Sequence, residues 1–151
     1  MYRQHQMNND MTQEEKEILL KDLLARLPYG VKCAIKNSEG YHHENVAKIG
    51  ETTIDKLKGF DGKYFNIYHD NPLDWDWYVS EVNVEDIKPY LFPMSSMTEE
   101  QIKEFNCITQ RCNTYTGKDT LLTDFCNKHH IDIRGLINIG LAIDATGLKI
   151  Y

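Results

Sequence analysis

The residues of this chain best equipped for covalent or metal chemistry are its four cysteines and six histidines. Cys107 and Cys112 have four residues between them, and Cys126, His129 and His130 follow downstream. A tetrahedral zinc site takes four Cys or His ligands, and closely spaced pairs usually flank a tight turn. The spacing here fits, but both cysteines fall inside one helical pattern. Five residues on, helical geometry turns them about 140° apart. They are badly placed to share an ion. Cys112 and Cys126 read more simply as small core side chains. No metal site and no cofactor is expected.

Nucleophilic catalysis needs a Cys or Ser within reach of a base, itself oriented by a third group. Cys126 and His130 stand at i, i+4, so a helix would bring them to one face, with Asp132 or Asp124 to orient the imidazole. Cys126, His129 and His130 are thus the residues the chain offers for an enzyme. Against them stands a plainer reading, in which His129 and His130 sit favourably at the negative end of a helix dipole. No nucleophile elbow and no glycine-rich phosphate loop is present. Gly135-Leu136-Ile137-Asn138-Ile139-Gly140 has two of the glycines of such a loop, and Gly117-Lys118 lacks the upstream glycine and the following Ser or Thr. The sequence points away from an enzyme.

A third pattern is acidic and aromatic. Between Tyr64 and Ile87 there is no Lys or Arg, while Asp70, Asp74, Asp76, Glu81, Glu85 and Asp86 all fall inside. Both tryptophans of the chain, Trp75 and Trp77, lie in Leu73-Asp74-Trp75-Asp76-Trp77-Tyr78. Strand-like alternation puts the two rings on one face and the two aspartates on the other. Two readings follow. The rings fill a sheet core and the aspartates are a wetted face, or Asp74, Trp75, Asp76, Trp77 and Tyr78 form a surface for a basic protein partner. Calcium is a poorer fit, because Asp70-x₃-Asp74-x-Asp76 lacks the glycine and closing glutamate of an EF-hand loop.

These residues must be positioned by regular elements. Thr12-Gln13-Glu14-Glu15 is a capping box, and Ile18, Leu19, Leu20, Leu23, Leu24 and Leu27 follow at helical spacing. Pro28 and Gly30 stop that helix, predicted over 13–27. A strand-rich middle follows, with strands expected over 31–36, 46–49, 52–57, 63–69 and 77–84. Turns at 37–40, 59–62 and 70–72 separate them. The stretch 84–97 holds Pro89 and Pro93 and reads as a connection crossing the sheet, with one helical turn near 85–90. Thr98-Glu99-Glu100-Gln101 repeats the capping-box pattern and opens a helix over 99–112. Asp119 is the expected N-cap of a third helix over 120–129. A short fourth helix over 134–138 and a docked tail over 141–151, placed as an edge strand, complete the chain.

The expected fold is α+β: an N-terminal helix, a small antiparallel sheet or SH3-like barrel, and a helical C-terminal part. The expected organisation is a flexible tail over 1–11 and one domain over 12–151, its helix and strands over 12–93 and its helical part over 94–151. A chain of 151 residues buries a full core without staples. The net charge is −6, and residues 31–93, with seven basic and eleven acidic residues, hold −4 of it. No contiguous basic stretch exists, so nucleic acid is not an expected partner. No membrane-length apolar run and no apolar leader are present, which points to a cytoplasmic protein with reduced thiols.

Three blocks carry a resemblance: MTQEEKEILLKDLLARLPYGVKC over 11–33, EDIKPYLFPMSSMTEEQ over 85–101, and DFCNKHHIDIRGLINIGLAIDATGLKIY over 124–151. They resemble a family of short uncharacterised proteins encoded in gut Bacteroidales bacteria and their phages or mobile elements. The resemblance implies a bacterial or phage origin and a cytoplasmic setting, and it brings no activity, cofactor or site residue. The expected function is that of a non-enzymatic binding or regulatory protein presenting the acidic aromatic surface at 74–78.

Overall fold

A computed structural model of the chain describes residues 11–36, 51–69, 78–111 and 118–151. The fold is α+β. Helix α1 spans Gln13–Arg26 and runs into a 3-10 turn over Leu27–Tyr29. Its start follows from Thr12, whose hydroxyl accepts from the Glu15 backbone N–H at 3.2 Å. Gly30, at φ +67°, ends the turn in the left-handed conformation that glycine adopts at no steric cost.

Among the described residues seven strands follow: β1 Lys32–Lys36, β2 Thr52–Lys56, β3 Gly59–Phe60, β4 Phe65–His69, β5 Tyr78–Val82, β6 Ile87–Leu91 and β7 Ile143–Asp144. They form a four-stranded sheet in the order β2-β1-β6-β7 and a three-stranded sheet in the order β3-β4-β5. All pairings are antiparallel except β6 with β7, which is parallel. The described strands thus make two sheets, and an SH3-like barrel is not what they form. Helices α2 (Glu99–Arg111) and α3 (Lys118–Lys128) complete the C-terminal part. Thr98 and Gln101 cap α2 reciprocally: the Gln101 N–H donates to the Thr98 hydroxyl and the Thr98 N–H to the Gln101 side chain.

The turn expected at 59–62 is confined to the residues after Phe60, because Gly59 and Phe60 form β3 against Asn66 and Phe65. Three further local expectations are corrected. First, the stretch expected to cross the sheet as a connection supplies β6, an inner strand of the larger sheet. Pro89 is tolerated there for a geometric reason. The Leu91 carbonyl faces β7, accepting from Ala145 at 2.8 Å. Residues two apart in a strand share that direction, so the Pro89 nitrogen also turns away from β1. The ladder to β7 covers only Tyr90 and Leu91, so no N–H is missed at Pro89. Second, residues 134–138 form turns instead of a fourth helix. Both oxygens of the Asp132 carboxylate accept from this segment, from the N–H groups of Leu136 and Ile137 at 2.9 Å each. Third, α3 begins at Lys118, so Asp119 lies inside the helix and is not its N-cap. The tail does dock, with β7 at the edge of the sheet as expected. The strand expected over 46–49, the turns at 37–40 and 70–72, and Cys112 lie outside the described residues.

The main core joins α1 to both sheets through Leu19, Leu23, Val31, Cys33, Ile35, Phe65, Ile67, Val82, Ile87 and Leu91. On α1, however, the buried residues are Leu19, Asp22, Leu23 and Arg26, while Ile18 and Leu24 are exposed. An acid and a base are buried where the leucine-rich stripe promised only apolar side chains. A second cluster, of Phe125, Cys126 and Ile131 with Phe105 and Ile108, joins α2 to α3.

Candidate functional site

The polar residues buried under the fold meet where α1, the end of α3 and the 131–137 segment come together. Asp22 and Arg26 are each 0 % exposed. They lie one helical turn apart, so both project into the same interior. The Asp22 carboxylate accepts from Arg26 Nε at 2.9 Å and from Arg134 Nη1 at 2.6 Å. Arg134 also reaches the Asn127 side-chain oxygen at 3.2 Å. The rest of the Arg26 guanidinium donates to two main-chain carbonyls, Cys126 at 3.3 Å and Ile131 at 2.7 Å. A buried charge is tolerable only when paired and hydrogen-bonded, and here all of Asp22 and most of Arg26 are so engaged. The arrangement clamps the end of α3 to α1.

The end of α3 explains the histidines. His130 donates to the Asn127 carbonyl at 3.3 Å and Ile131 to the Cys126 carbonyl at 2.8 Å. Those two bonds define a Schellman motif with His130 at C′. That position is left-handed, and His130 has φ +58°. Glycine is the usual occupant, and a histidine there accepts backbone strain. What the side chain gains is a stack: the His130 and Tyr151 rings lie 3.9 Å apart at 11°. His129 instead packs on Phe125, with ring centres 4.6 Å apart.

Tyr151 is held at its other end as well. The β1–β6 ladder runs from Ile35↔Ile87 to Cys33↔Pro89. The next rung would join Lys32 to Tyr90. The Tyr151 hydroxyl occupies that place, accepting from the Lys32 N–H at 3.0 Å and donating to the Tyr90 carbonyl at 2.8 Å. Burial raises its phenol above the ordinary range. The Lys32 ammonium donates to the Ile150 carbonyl at 2.6 Å.

Chemically, the sequence-chosen nucleophile is ill placed. Cys126 is buried, and burial raises its thiol, an effect opposed by Arg26 and Arg134. A raised thiol is a poor nucleophile at neutral pH. α3 ends at Lys128 and the chain reverses its φ at His130, so the one-face spacing of Cys126 and His130 does not hold. The Asp132 carboxylate is occupied by backbone donors, and Asp124 is exposed on α3. Cys33 is buried with its thiol raised by burial and by the nearby Asp22 charge. Among the described residues no group of three or more His, Cys, Asp or Glu could hold a metal ion. We expect iodoacetamide at neutral pH to label Cys107, which is exposed, while Cys33 and Cys126 stay unmodified until the fold is denatured. Peptide-resolved mass spectrometry reads this directly; labelling of native Cys126 at the rate of Cys107 would overturn the assignment.

His130 gives a pH prediction. Its Nδ1 is buried with no hydrogen-bond partner. Burial, then the positive charges of Arg26, His129, Lys32 and Lys56, push its pKa down to about 4. The folded state therefore binds this proton less readily than the unfolded chain. The contribution is fully present above pH ~6.5 and is lost as pH falls from there through ~4. Because the ring is partly exposed, the loss is discounted to on the order of 1–2 kcal/mol. Urea unfolding of the parent and of His130→Asn should diverge over that interval, with the variant the flatter; parallel curves would contradict the assignment.

Of the residues singled out as a binding surface, Asp74, Trp75, Asp76 and Trp77 lie outside the described residues, and Tyr78 opens β5. Its backbone pairs with His69 at the end of a register that begins at Phe65↔Val82. In the sequence, residues 70–77 join β4 to β5. Asp22, Arg26, Arg134 and Tyr151 were not singled out from sequence. The signal available for the first two was an acid–base pair in phase with Leu19 and Leu23. Among the described residues no helix is long and apolar enough to cross a membrane. Comparison with protein-family models, with curated proteins and with solved structures found no match.

Proposed function

We propose that this chain is a non-catalytic binding or regulatory protein of bacterial or phage origin, acting in the cytoplasm. Its working surface is the acidic aromatic segment Asp74, Trp75, Asp76, Trp77 and Tyr78, and its partner is a protein with a basic face. The observation that supports this most is the β4–β5 ladder. Phe65, Ile67 and Val82 bury one face of it in the main core, so the ladder is a fixed mount. From Phe65 to Asp86 the sequence holds six carboxylates and no Lys or Arg. Glu81 is exposed on β5, and Glu85 is engaged with Lys16 at 3.0 Å. An excess of charge of one sign steers a partner of the other sign and fixes orientation. Aromatic anchors in the same segment supply affinity, because Trp and Tyr dominate interface energetics.

A second observation favours binding over catalysis. Of the residues offered for an enzyme, Cys126, His129 and His130, each takes part through its backbone in ending α3, and Asp132, one of the two acids that could orient the imidazole, shapes the following turn. The test is affinity capture from a bacterial lysate with the parent, Trp75→Ala/Trp77→Ala and Asp74→Asn/Asp76→Asn, each shown to melt as the parent does. A saturable partner that elutes with salt and is lost at least tenfold with both variants is expected. Equal capture by all three chains sinks the reading.

A further inference from the structure

The larger sheet assembles a basic face that no stretch of the sequence contains. Residues directly opposite one another in a ladder share a face. The pairs Lys32↔Lys56, Ala34↔Ile54 and Lys36↔Thr52 place one set of β1 and β2 residues together, and Ala34↔Lys88 adds β6 to it. The opposite face carries Cys33, Ile35, Ile87 and Leu91, all fully buried in the main core. The first face is therefore the outer one. Tyr90, Ala145 and Ile150 pack over its β6–β7 side. What is left outside that cluster is Lys36, Lys56, Lys88, Thr52 and Ile54, while the Lys32 ammonium is already held by the Ile150 carbonyl. Lys36, Lys56, Lys88, Thr52 and Ile54 are exposed, and Lys32 is half-buried.

No carboxylate stands among the described strand positions of this face. Asp55 belongs to the other parity, opposite Cys33. Asp86, the nearest in register to Lys36, lies in the 3-10 turn before β6. We infer that this outer face is a second binding surface, of opposite sign to the acidic segment, that holds the phosphate backbone of a nucleic acid without reading its bases. Lys36 stands opposite Thr52, so Lys36 and Lys56 are four residues apart along the β1–β2 ladder, about 13 Å at the strand rise. That length spans roughly four nucleotides at the rise of one strand.

Two features favour phosphates over an acidic protein as the occupant. Protein interfaces draw their energy from aromatic or arginine anchors seated in pockets. The described strand positions left open here carry lysines, one isoleucine and one threonine, and Tyr90 on the same face is buried. Lysine ammonium groups act as point charges toward phosphate and need no pocket. The absence of an exposed ring at those positions also removes base stacking, so binding is insensitive to sequence. The net charge of −6 does not prevent this, because at physiological salt fields are screened within about 10 Å and a local cluster is what a phosphate meets.

The test is fluorescence anisotropy of the full chain with labelled oligo-dT and with a mixed-sequence strand of equal length. With up to three lysines engaged, log affinity should fall against log salt with a slope of about −2, alike for both strands. Lys36→Glu/Lys88→Glu should cut that slope by about two thirds and weaken binding at least tenfold. Lys103→Glu/Lys128→Glu changes net charge equally, on residues exposed on α2 and α3, and should bind as the parent does. Three results would each overturn the inference: no saturable binding at low salt, equal loss in both variants, or displacement by poly-glutamate as readily as by an unlabelled strand. The last would assign the face to an acidic protein. None of these outcomes bears on the acidic segment, which is tested by its own variants.

Discussion

Replacing Asp22 by alanine is expected to destabilise the fold by about 3–5 kcal/mol, the usual cost of stripping one partner from a buried ion pair. Among the described residues Asp22 is the one carboxylate held between two guanidiniums, and it is fully buried. Its removal leaves Arg26 inside the protein, still bonded to the Cys126 and Ile131 carbonyls but with its charge uncompensated. A domain of this size has roughly 5–15 kcal/mol to lose, so the variant should be marginal at 37 °C. The ordering is as informative as the size. Arg134→Ala should cost least, because its side chain is 18 % exposed and the Asp22–Arg26 bond survives it. Arg26→Met should fall between, since Asp22 keeps Arg134. Urea unfolding with an unchanged slope against denaturant measures all three. A cost below about 1 kcal/mol for Asp22→Ala would show that the cluster does not clamp α1 to the end of α3.

The second large effect is expected at Tyr151. Tyr151→Phe keeps the His130 stack and removes the hydroxyl that completes the β1–β6 ladder. The Lys32 N–H and the Tyr90 carbonyl each lose a partner, at about 1–3 kcal/mol in total. Tyr151→Ala removes the ring too, and with it the stack on His130 and the contact with Phe92, whose ring centre is 5.9 Å away. An aromatic pair contributes about 0.5–1.5 kcal/mol beyond area burial, so the alanine variant should lose at least that much more than the phenylalanine variant. Amide exchange at Lys32 should quicken in both. If Tyr151→Phe matches the parent in stability and exchange, the hydroxyl bridge is not what holds the tail.

Much of the fold was legible in the sequence because its signals are local. Thr12 and Thr98 announce helix starts through side chains that bond within their own first turn. Alternation over 31–36 marks β1, because a half-buried strand repeats every two residues, and the branched residues Thr52, Thr53 and Ile54 mark β2. What was illegible depends on partners distant in sequence. Asp22 and Arg26 look like a solvated i, i+4 pair until Arg134, Cys126 and Ile131 arrive from a hundred or more residues away. Pro89 looks like a break because its tolerance depends on which side β7 pairs. His130 looks like a helix-end charge or a catalytic base, since only tertiary stacking explains a histidine in a glycine's conformation. The basic face was invisible for the same reason, its lysines being brought together by three strands.

The central claim is that the acidic aromatic segment faces solvent and meets a partner. Trp75 and Trp77 are the only tryptophans in the chain, so intrinsic tryptophan emission reports on that segment alone. The most direct measurement is acrylamide quenching of this emission in the free native protein, compared with the unfolded chain in urea. A binding surface predicts red emission and native quenching that approaches the unfolded value, with both shifting when the captured partner is added. Blue emission shielded from acrylamide in the free protein would place both rings in the core and contradict the account.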